Sequence, residues 1–357
     1  MPAITKKDAT ILVTGGNGYI ATWIVGDLLE QGFNVRASVR TANKGDHLKN
    51  IYKDYGDKLQ VWAVGDMATP GVWDKAVQDV EGIVHAAAAV HLDAKSPEEM
   101  IEPAVAGVLE ILNSVEKYGN KVERFIYTSS CGTITAYSAV PKVFNETMWN
   151  DKAVEDCNEL GPKALPNDMY CASKVLAEKE LWAWYNKRKA NLKWDLVTLH
   201  PPWVVGPTKH QVTTIESIHP TTLMWYWSTI LGNFASTFPP FDNVDPRTAP
   251  SNAWIDVRDV AHAHTLGLIK PDAGNERIIL AKEGFVWQDV LDVYNSINPS
   301  PWVSHKEPFP KGIPEGERHR NIIWDTSKEK RVLGMKMRTL EETARDILAD
   351  YEAHGWK

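Results

Sequence analysis

Two rhythms of hydrophobic and polar positions take turns along this chain, one of period two and one of helical spacing. Ile11-Leu12-Val13 is a short apolar run of the kind a buried strand presents. Apolar residues then recur at Ile20, Trp23, Ile24 and Leu28, which predicts a helix, and Gly32 closes it. Phe33 to Val39 alternates as a second strand. Lys58 to Val64 predicts a third strand, Gly82 to Ala88 a continuous apolar fourth, Arg124 to Thr128 a fifth, and Asp195 to Leu199 a further one. Between them, a helix is expected from the Ser96-Pro97-Glu98-Glu99 capping box to about Tyr118. Another opens at Tyr170, in a stretch rich in Ala, Glu, Leu and Lys. Pro141 to Asp168, with Gly161-Pro162 and Pro166 as breakers, reads as irregular. Strands and helices in alternation predict an α/β fold, a doubly wound parallel sheet.

After Gly206-Pro207 the regularity breaks into an aromatic segment, Leu223 to Leu231, and a loop from Pro239 to Pro250. Ala253 to Asp256 and a helix from Arg258 to Ile269 read as a return to the first unit. Helices are expected at Trp287 to Ile297 and after a capping box of Thr339 with Glu342. The expected organisation is therefore a dinucleotide-binding domain over 1–205, to which 253–270 returns. A smaller C-terminal lobe, from 206–252 and 271–357, would select the substrate.

Composition narrows the class. The chain is 43% hydrophobic and 24% charged, an ordinary globular balance. A formal charge of −7, with no lysine or arginine cluster long enough to track a phosphate backbone, argues against nucleic acid as a partner. Three cysteines in 357 residues point to a reducing compartment without a disulfide framework. Met1 to Ala9 lacks the apolar core of a signal or transit peptide, and runs such as Ile83 to Val90 are too short to span a bilayer. A cytoplasmic protein is expected. The 15 tryptophans are unusual, and several lie with other aromatics at Trp203, Trp225, Tyr226, Trp227, Phe234, Phe238 and Phe241. They read either as packing or as the walls of an apolar pocket.

The chemistry starts at the turn between the first strand and helix. Gly15-x-x-Gly18-x-x-Ala21 places glycine at the tight turn and where a pyrophosphate would meet bare backbone, with a small residue where the helix meets the strand. Gly15, Asn17, Gly18, Tyr19 and Ile20 are the expected cradle. The second strand ends without a carboxylate until Asp46 and offers Arg36 and Arg40, with Lys44 beyond. These are solvated strand residues or, as favoured here, the binding set for a 2′-phosphate, which selects NADP over NAD. Asp66, followed by Met67, ends the third strand, where it would accept from an adenine amino group or cap the turn. Ala86 and Ala87 are small enough for a cofactor to pass over the fourth strand's end, or for close helix packing.

Tyr170 and Lys174 are four apart on a helix and share a face. An ammonium beside a phenol stabilises the phenolate, which suits tyrosine to proton transfer near neutral pH. Ser130, at the end of the fifth strand, would hydrogen-bond the same substrate oxygen. His262 and His264, two apart on a helix, do not face each other, and no metal site is expected.

With glycine turn, Thr-Ser-Ser strand end and Tyr-x-x-x-Lys in order, the chain resembles the extended short-chain dehydrogenase/reductase family. The likeness is strongest to the branch of dihydroflavonol and cinnamoyl-CoA reductases and fungal carbonyl and methylglyoxal reductases. It is carried by Thr14 to Ala21, Val35 to Arg40, Arg124 to Ser130, Tyr170 to Glu178, Pro201 to Pro207 and Trp254 to Ala261. The resemblance implies a Rossmann fold, NADPH as cofactor, a Ser130-Tyr170-Lys174 triad, and Lys174 on the nicotinamide ribose. It also implies contact between the nicotinamide and the Pro201-Pro202-Trp203-Val204 turn. Two departures matter. Ala106 precedes Gly107 where many members carry asparagine, which puts a proton relay through that side chain in question. Around Tyr170 the cinnamoyl-CoA reductase motif is replaced by Asn167 to Lys174, which favours a free aldehyde or ketone over a CoA thioester.

The expected function is reduction of small, apolar or aromatic carbonyl substrates. An epimerase or hydroxysteroid-type dehydrogenase of the same family, or a redox sensor holding NADP without turnover, are the rivals. A monomer and a homodimer are both compatible with the sequence. Cys157 and Cys171 match cysteines of the cinnamoyl-CoA reductase pattern, and stand as two unrelated buried thiols or a pair that bridges on oxidation.

Overall fold

Seven parallel strands form the central sheet of the computed structural model: β1 (Thr10–Thr14), β2 (Asn34–Val39), β3 (Leu59–Ala63), β4 (Gly82–His85), β5 (Arg124–Thr128), β6 (Asp195–His200) and β7 (Arg277–Ile279). Their spatial order is β7-β6-β5-β4-β1-β2-β3, so the direction of winding reverses between β1 and β4. Ligands of such sheets bind in the crevice at that reversal, outside the carboxyl ends of the strands. The structure describes residues 3–88, 94–136, 138–237, 244–249 and 252–356. Phe238, Phe241 and parts of the 239–250 loop and the 83–90 run lie outside them.

Strand pleating explains the two layers of helices. Ile11 and Val13 face one core while Leu12 between them faces the other, and Ile126 is divided from Phe125 and Tyr127 in the same way. The first core takes the helices Tyr19–Glu30 and Val257–Ile269, and the second takes Pro97–Tyr118 and Pro166–Arg188. A three-stranded sheet, Glu283–Phe285, Asn252–Asp256 and Trp203–Val205, stands apart from the central one. A pair of strands, Ile322–Trp324 with Lys142–Phe144, stands apart as well.

Several expectations change. The stretch 141–168 is not irregular, for it contains the strand Lys142–Phe144 and the helix Asp151–Leu160. The strand has a partner only 180 residues later (Ile322↔Lys142), which no local pattern reports. The fourth strand ends at His85, leaving Ala86 to Ala88 as loop. Ser96 precedes its helix but makes no cap through its side chain; Glu99 instead accepts from Lys95 N at 2.9 Å. Arg277–Ile279, placed with the C-terminal lobe by sequence, is the edge strand of the central sheet, while Ala253 to Asp256 belongs to the smaller sheet. The aromatic residues of the second half are chiefly core. Trp225, Trp254, Trp287 and Trp302 are buried, and Trp225 Nε1 donates to Tyr294 Oη at 3.0 Å.

The last helix, Leu340–Ala353, starts on the expected box. Thr339 Oγ1 accepts from Glu342 N at 3.2 Å, and Glu342 Oε2 accepts from Thr339 N at 2.7 Å. Thr339→Ala is expected to lower stability by about 1 kcal/mol, read as a lower urea midpoint with an unchanged slope. An unchanged midpoint would show that the cap is dispensable. Among the described residues, no helix is long and apolar enough to cross a membrane.

Candidate active site

The glycine turn sits at the reversal of the sheet. Gly15 has φ +66, a conformation that favours glycine, and a Cβ there would lie 3.1 Å from Ala87 Cα at the end of β4. At Gly16 a Cβ would lie 2.8 Å from the Ala37 Cβ of β2, so a side chain has no room. The turn is fixed from β2, since Gly15 N donates to Ser38 Oγ at 3.2 Å and Gly16 N to the Ser38 carbonyl at 2.8 Å. From β4, Ala87 N donates to Thr14 Oγ1 at 3.0 Å. Gly18 is the N-cap residue of the helix Tyr19–Glu30, and it is exposed. Bare backbone, a helix N-terminus and a wall of alanine form a cradle that fits a dinucleotide pyrophosphate.

Within the expected cradle, Asn17 and Ile20 are half-buried in the turn and first helical residues. Tyr19 contributes to the cradle only through its backbone. Its phenol is buried away from the turn, donates to the Gly206 carbonyl at 3.0 Å, and stacks on His219. Arg36 is also corrected. Its guanidinium is buried, donates to the Ala76 and Gln78 carbonyls at 2.8 and 2.6 Å, and lies 4.3 Å over the Trp62 ring. Arg40 and Lys44 are exposed just beyond β2, and remain as the cations available to a 2′-phosphate. Asp66 is exposed and accepts from Ala68 N at 3.0 Å, the turn-capping role that sequence left open.

Met67, Ala87, Ala88, Tyr127, Ser173 and Lys174 line one pocket, which joins the ends of β3 and β4 to the helix Pro166–Arg188. That helix starts one turn before Tyr170, with Pro166 at its first position. Ser130 follows β5, accepts from Gly132 N at 3.0 Å and lies near the Tyr170 phenol, whose ionised form it favours. Gly132 faces both, and a Cβ there would lie 3.3 Å from Ser130 Oγ and 3.1 Å from Cys171 Sγ. Pro201 comes to the same place, its carbonyl accepting from Cys131 N at 3.0 Å. Trp203 is half-buried and Val204 buried beyond it. Among the described residues, Ser130, Tyr170 and the 201–204 turn thus meet at the carboxyl ends of β5 and β6.

Burial pushes the Tyr170 phenol up to about 12, and Ser130 draws it back. Lys174 is buried, and burial brings its ammonium down to about 8 while Glu178 raises it. The Tyr170 side chain is therefore a protonated phenol at neutral pH, with burial opposed by Ser130.

Sequence reasoning passed over Glu178, which continues the Tyr170, Lys174 series at the same helical interval. A charge at that third position on a buried face was the available signal. Its carboxylate is buried and accepts from Ser129 Oγ at 2.6 Å, His200 Nε2 at 2.9 Å and Arg277 Nε at 2.8 Å. Burial pushes its pKa up, but His200 and Arg277 hold it well below the usual carboxylate range. Cys157 and Cys171 are free, buried thiols of one small apolar cluster. Burial pushes them up to about 11 and about 12, which disfavours the reactive thiolate. His262 faces Asp27, whereas His264 bonds Thr128 and the Val260 carbonyl, so the two point apart.

A family model described as the NAD dependent epimerase/dehydratase family matches residues 11–281. A ketoreductase of Aspergillus niger, azaE, is 31% identical, with 98% of each chain covered. The NADPH-dependent methylglyoxal reductase GRE2 of Saccharomyces cerevisiae is 30% identical, covering 94% of this chain and 96% of that one. The crystal structure of yeast methylglyoxal/isovaleraldehyde reductase Gre2 complexed with NADPH superposes with a TM-score of 0.78 at 28% identity, covering 97% of this chain and 99% of that one.

Proposed function

The chain belongs to the NAD dependent epimerase/dehydratase family, and from that premise we propose that it is an NADPH-dependent reductase converting aldehydes or ketones to alcohols. One observation carries the catalytic assignment: Ser130 Oγ and the Tyr170 ring flank the same face of Gly132, near a buried Lys174 that shares a pocket with Ala87 of the dinucleotide crevice. Gly15, Gly18 and the helix N-terminus hold the pyrophosphate of NADPH, Arg40 and Lys44 its 2′-phosphate, and Lys174 its nicotinamide ribose. When bound there, NADPH supplies the hydride that a carbonyl carbon accepts.

The chain's own residues manage the proton. Ser130 and Tyr170 together hold the substrate oxygen, so the charge that develops on it meets two positioned donors. Tyr170 delivers its phenolic proton to that oxygen. Lys174, one helical turn on, favours the phenolate left behind by its positive charge and passes a proton back. Relatives named for methylglyoxal and for ketones support a small, uncharged carbonyl substrate. Free, buried thiols and the absence of a disulfide among the described cysteines suit the reducing cytoplasm.

A panel of methylglyoxal, branched aldehydes, diketones and flavonoid-type ketones, with NADPH oxidation followed by absorbance, tests this reading. Turnover of at least one class with alcohol formed in equal amount is expected; no turnover across the panel would count against it. The proton path adds a pH dependence. Because Lys174 must be charged, reduction at saturating substrate is expected to be steady below pH 8 and to fall as pH rises through about 8. A rate that holds level to pH 10 would remove Lys174 from the proton path.

A further inference from the structure

We propose that Glu178 is a positioning residue for the triad, one buried carboxylate that fixes Ser130 through its neighbour Ser129 and keeps Lys174 charged from the next helical turn. The inference rests on the Ser130-Tyr170-Lys174 reading and adds a residue to it.

The geometry is that of a hub. Glu178 lies on the helix that carries Tyr170 and Lys174, yet its bonds run to strands. Oε2 accepts from Ser129 Oγ at 2.6 Å at the end of β5. Oε1 accepts from His200 Nε2 at 2.9 Å at the end of β6, and from Arg277 Nε at 2.8 Å at the start of β7. Trp182 and Thr198 complete the set at 3.3 Å each. Arg277 is itself fixed, with its guanidinium 3.8 Å over the Trp149 ring and bonded to the Met148 carbonyl at 3.0 Å. The catalytic helix is thereby tied to three strands at the level where Ser130 leaves the sheet. Burying a carboxylate is unfavourable unless it is well paired, and here the pairing comes from Ser129, His200 and Arg277, one group from each of three strands or strand ends.

Two consequences follow for the proposed triad. Ser129 adjoins Ser130, so a bond that fixes the Ser129 side chain fixes the strand end from which Ser130 reaches Tyr170. Lys174 sits in apolar surroundings, and the charged or titratable groups about it are Glu178 and Tyr170 on its own helix, His85 on β4 and Tyr127 on β5. Burial and the charge of Lys174 keep His85 neutral, at about 3, and Tyr127 stays a neutral phenol through burial. Glu178 is thus the negative charge that offsets the burial of the Lys174 ammonium.

The test compares Glu178→Gln and Ser129→Ala with the wild type. In Glu178→Gln the side chain keeps its size and loses its charge. The descending pH limb of methylglyoxal reduction should move down by roughly one unit, as expected for loss of a nearby opposite charge. Titration of the Lys174 ammonium in the cofactor-free protein, by NMR of labelled lysine with Lys174→Arg as assignment, should move with it. A limb and a titration that stay near 8 in folded Glu178→Gln would overturn the proposal. Ser129→Ala removes one oxygen and leaves the carboxylate in place, so it reads the anchoring even if Glu178→Gln does not fold. It should lower kcat about tenfold with KM unchanged, by misplacing Ser130; a wild-type kcat would overturn the proposal. Tyr170→Phe separates the two readings. If it keeps its turnover, the triad is wrong; if it is inactive while both variants behave as wild type, only the role of Glu178 falls.

Discussion

Tyr170→Phe is expected to lower kcat by about two to four orders of magnitude, the range for loss of a positioned general acid. The change removes one oxygen. The helix around it keeps Pro166 at its start, its packing on the helix Asp151–Leu160 and its polar ties at Glu178. NADPH affinity, measured by fluorescence titration, should stay within about twofold, because the cradle is built from Gly15 to Gly18 and the ends of β2 and β4, away from the phenol. Loss of rate with retained cofactor binding separates proton delivery from assembly of the site. Turnover near that of the wild type would end the assignment of Tyr170 as the acid.

The second large effect concerns cofactor choice. Arg40→Ala is expected to weaken NADPH by about one to two orders of magnitude, since a charge-assisted hydrogen bond contributes roughly 1.5–3 kcal/mol. NADH, which lacks the 2′-phosphate, should bind nearly as before. The structure supports the choice of Arg40 over Arg36. Arg36 is committed to the Ala76 and Gln78 carbonyls, while Arg40 is exposed at the strand end. Its one backbone tie, Gly65 N donating to its carbonyl at 3.1 Å, survives the substitution. Equal weakening of both cofactors would show that Arg40 supports the loop rather than the phosphate.

The contrast between these two arginines shows what the sequence could and could not convey. Alternation in β2 places Arg36 and Arg40 on one face, so period two treats them alike. Only tertiary structure tells that Trp62 of β3 and the 76–78 segment cover the first and leave the second open. β1, β4 and β5 were legible as short runs buried almost throughout, and β2 and the edge strand β3 because their apolar and polar residues alternate. β7 was not, because three residues, Arg277-Ile278-Ile279, carry too little pattern and gain strand character only by pairing with β6. The same holds for Lys142–Phe144, whose partner is Ile322–Trp324.

At the site, spacing along one helix gave Tyr170 and Lys174, the end of β5 gave Ser130, and the family resemblance gave the 201–204 turn. What spacing could not give is electrostatic environment. In the folded chain burial raises the Tyr170 phenol and Ser130 draws it back, while burial lowers the Lys174 ammonium and Glu178 raises it. Glu178 was within the quoted Tyr170 to Glu178 segment, but an acidic residue in a helix rich in Glu and Lys looks solvated until its partners from β5, β6 and β7 arrive. The tryptophans were read as packing or as pocket walls, and Trp225, Trp254 and Trp287 fill one buried core.

The most direct test of the account is isotopic. NADPH carrying deuterium at both C4 positions of its ring is turned over with a carbonyl substrate accepted in the panel, and the alcohol is examined by mass spectrometry and NMR. A reductase with Tyr170 as the acid is predicted to place one deuterium on the carbinol carbon, with the hydroxyl proton drawn from solvent. An unlabelled product, or a substrate epimerised with no net oxidation of NADPH, would contradict it.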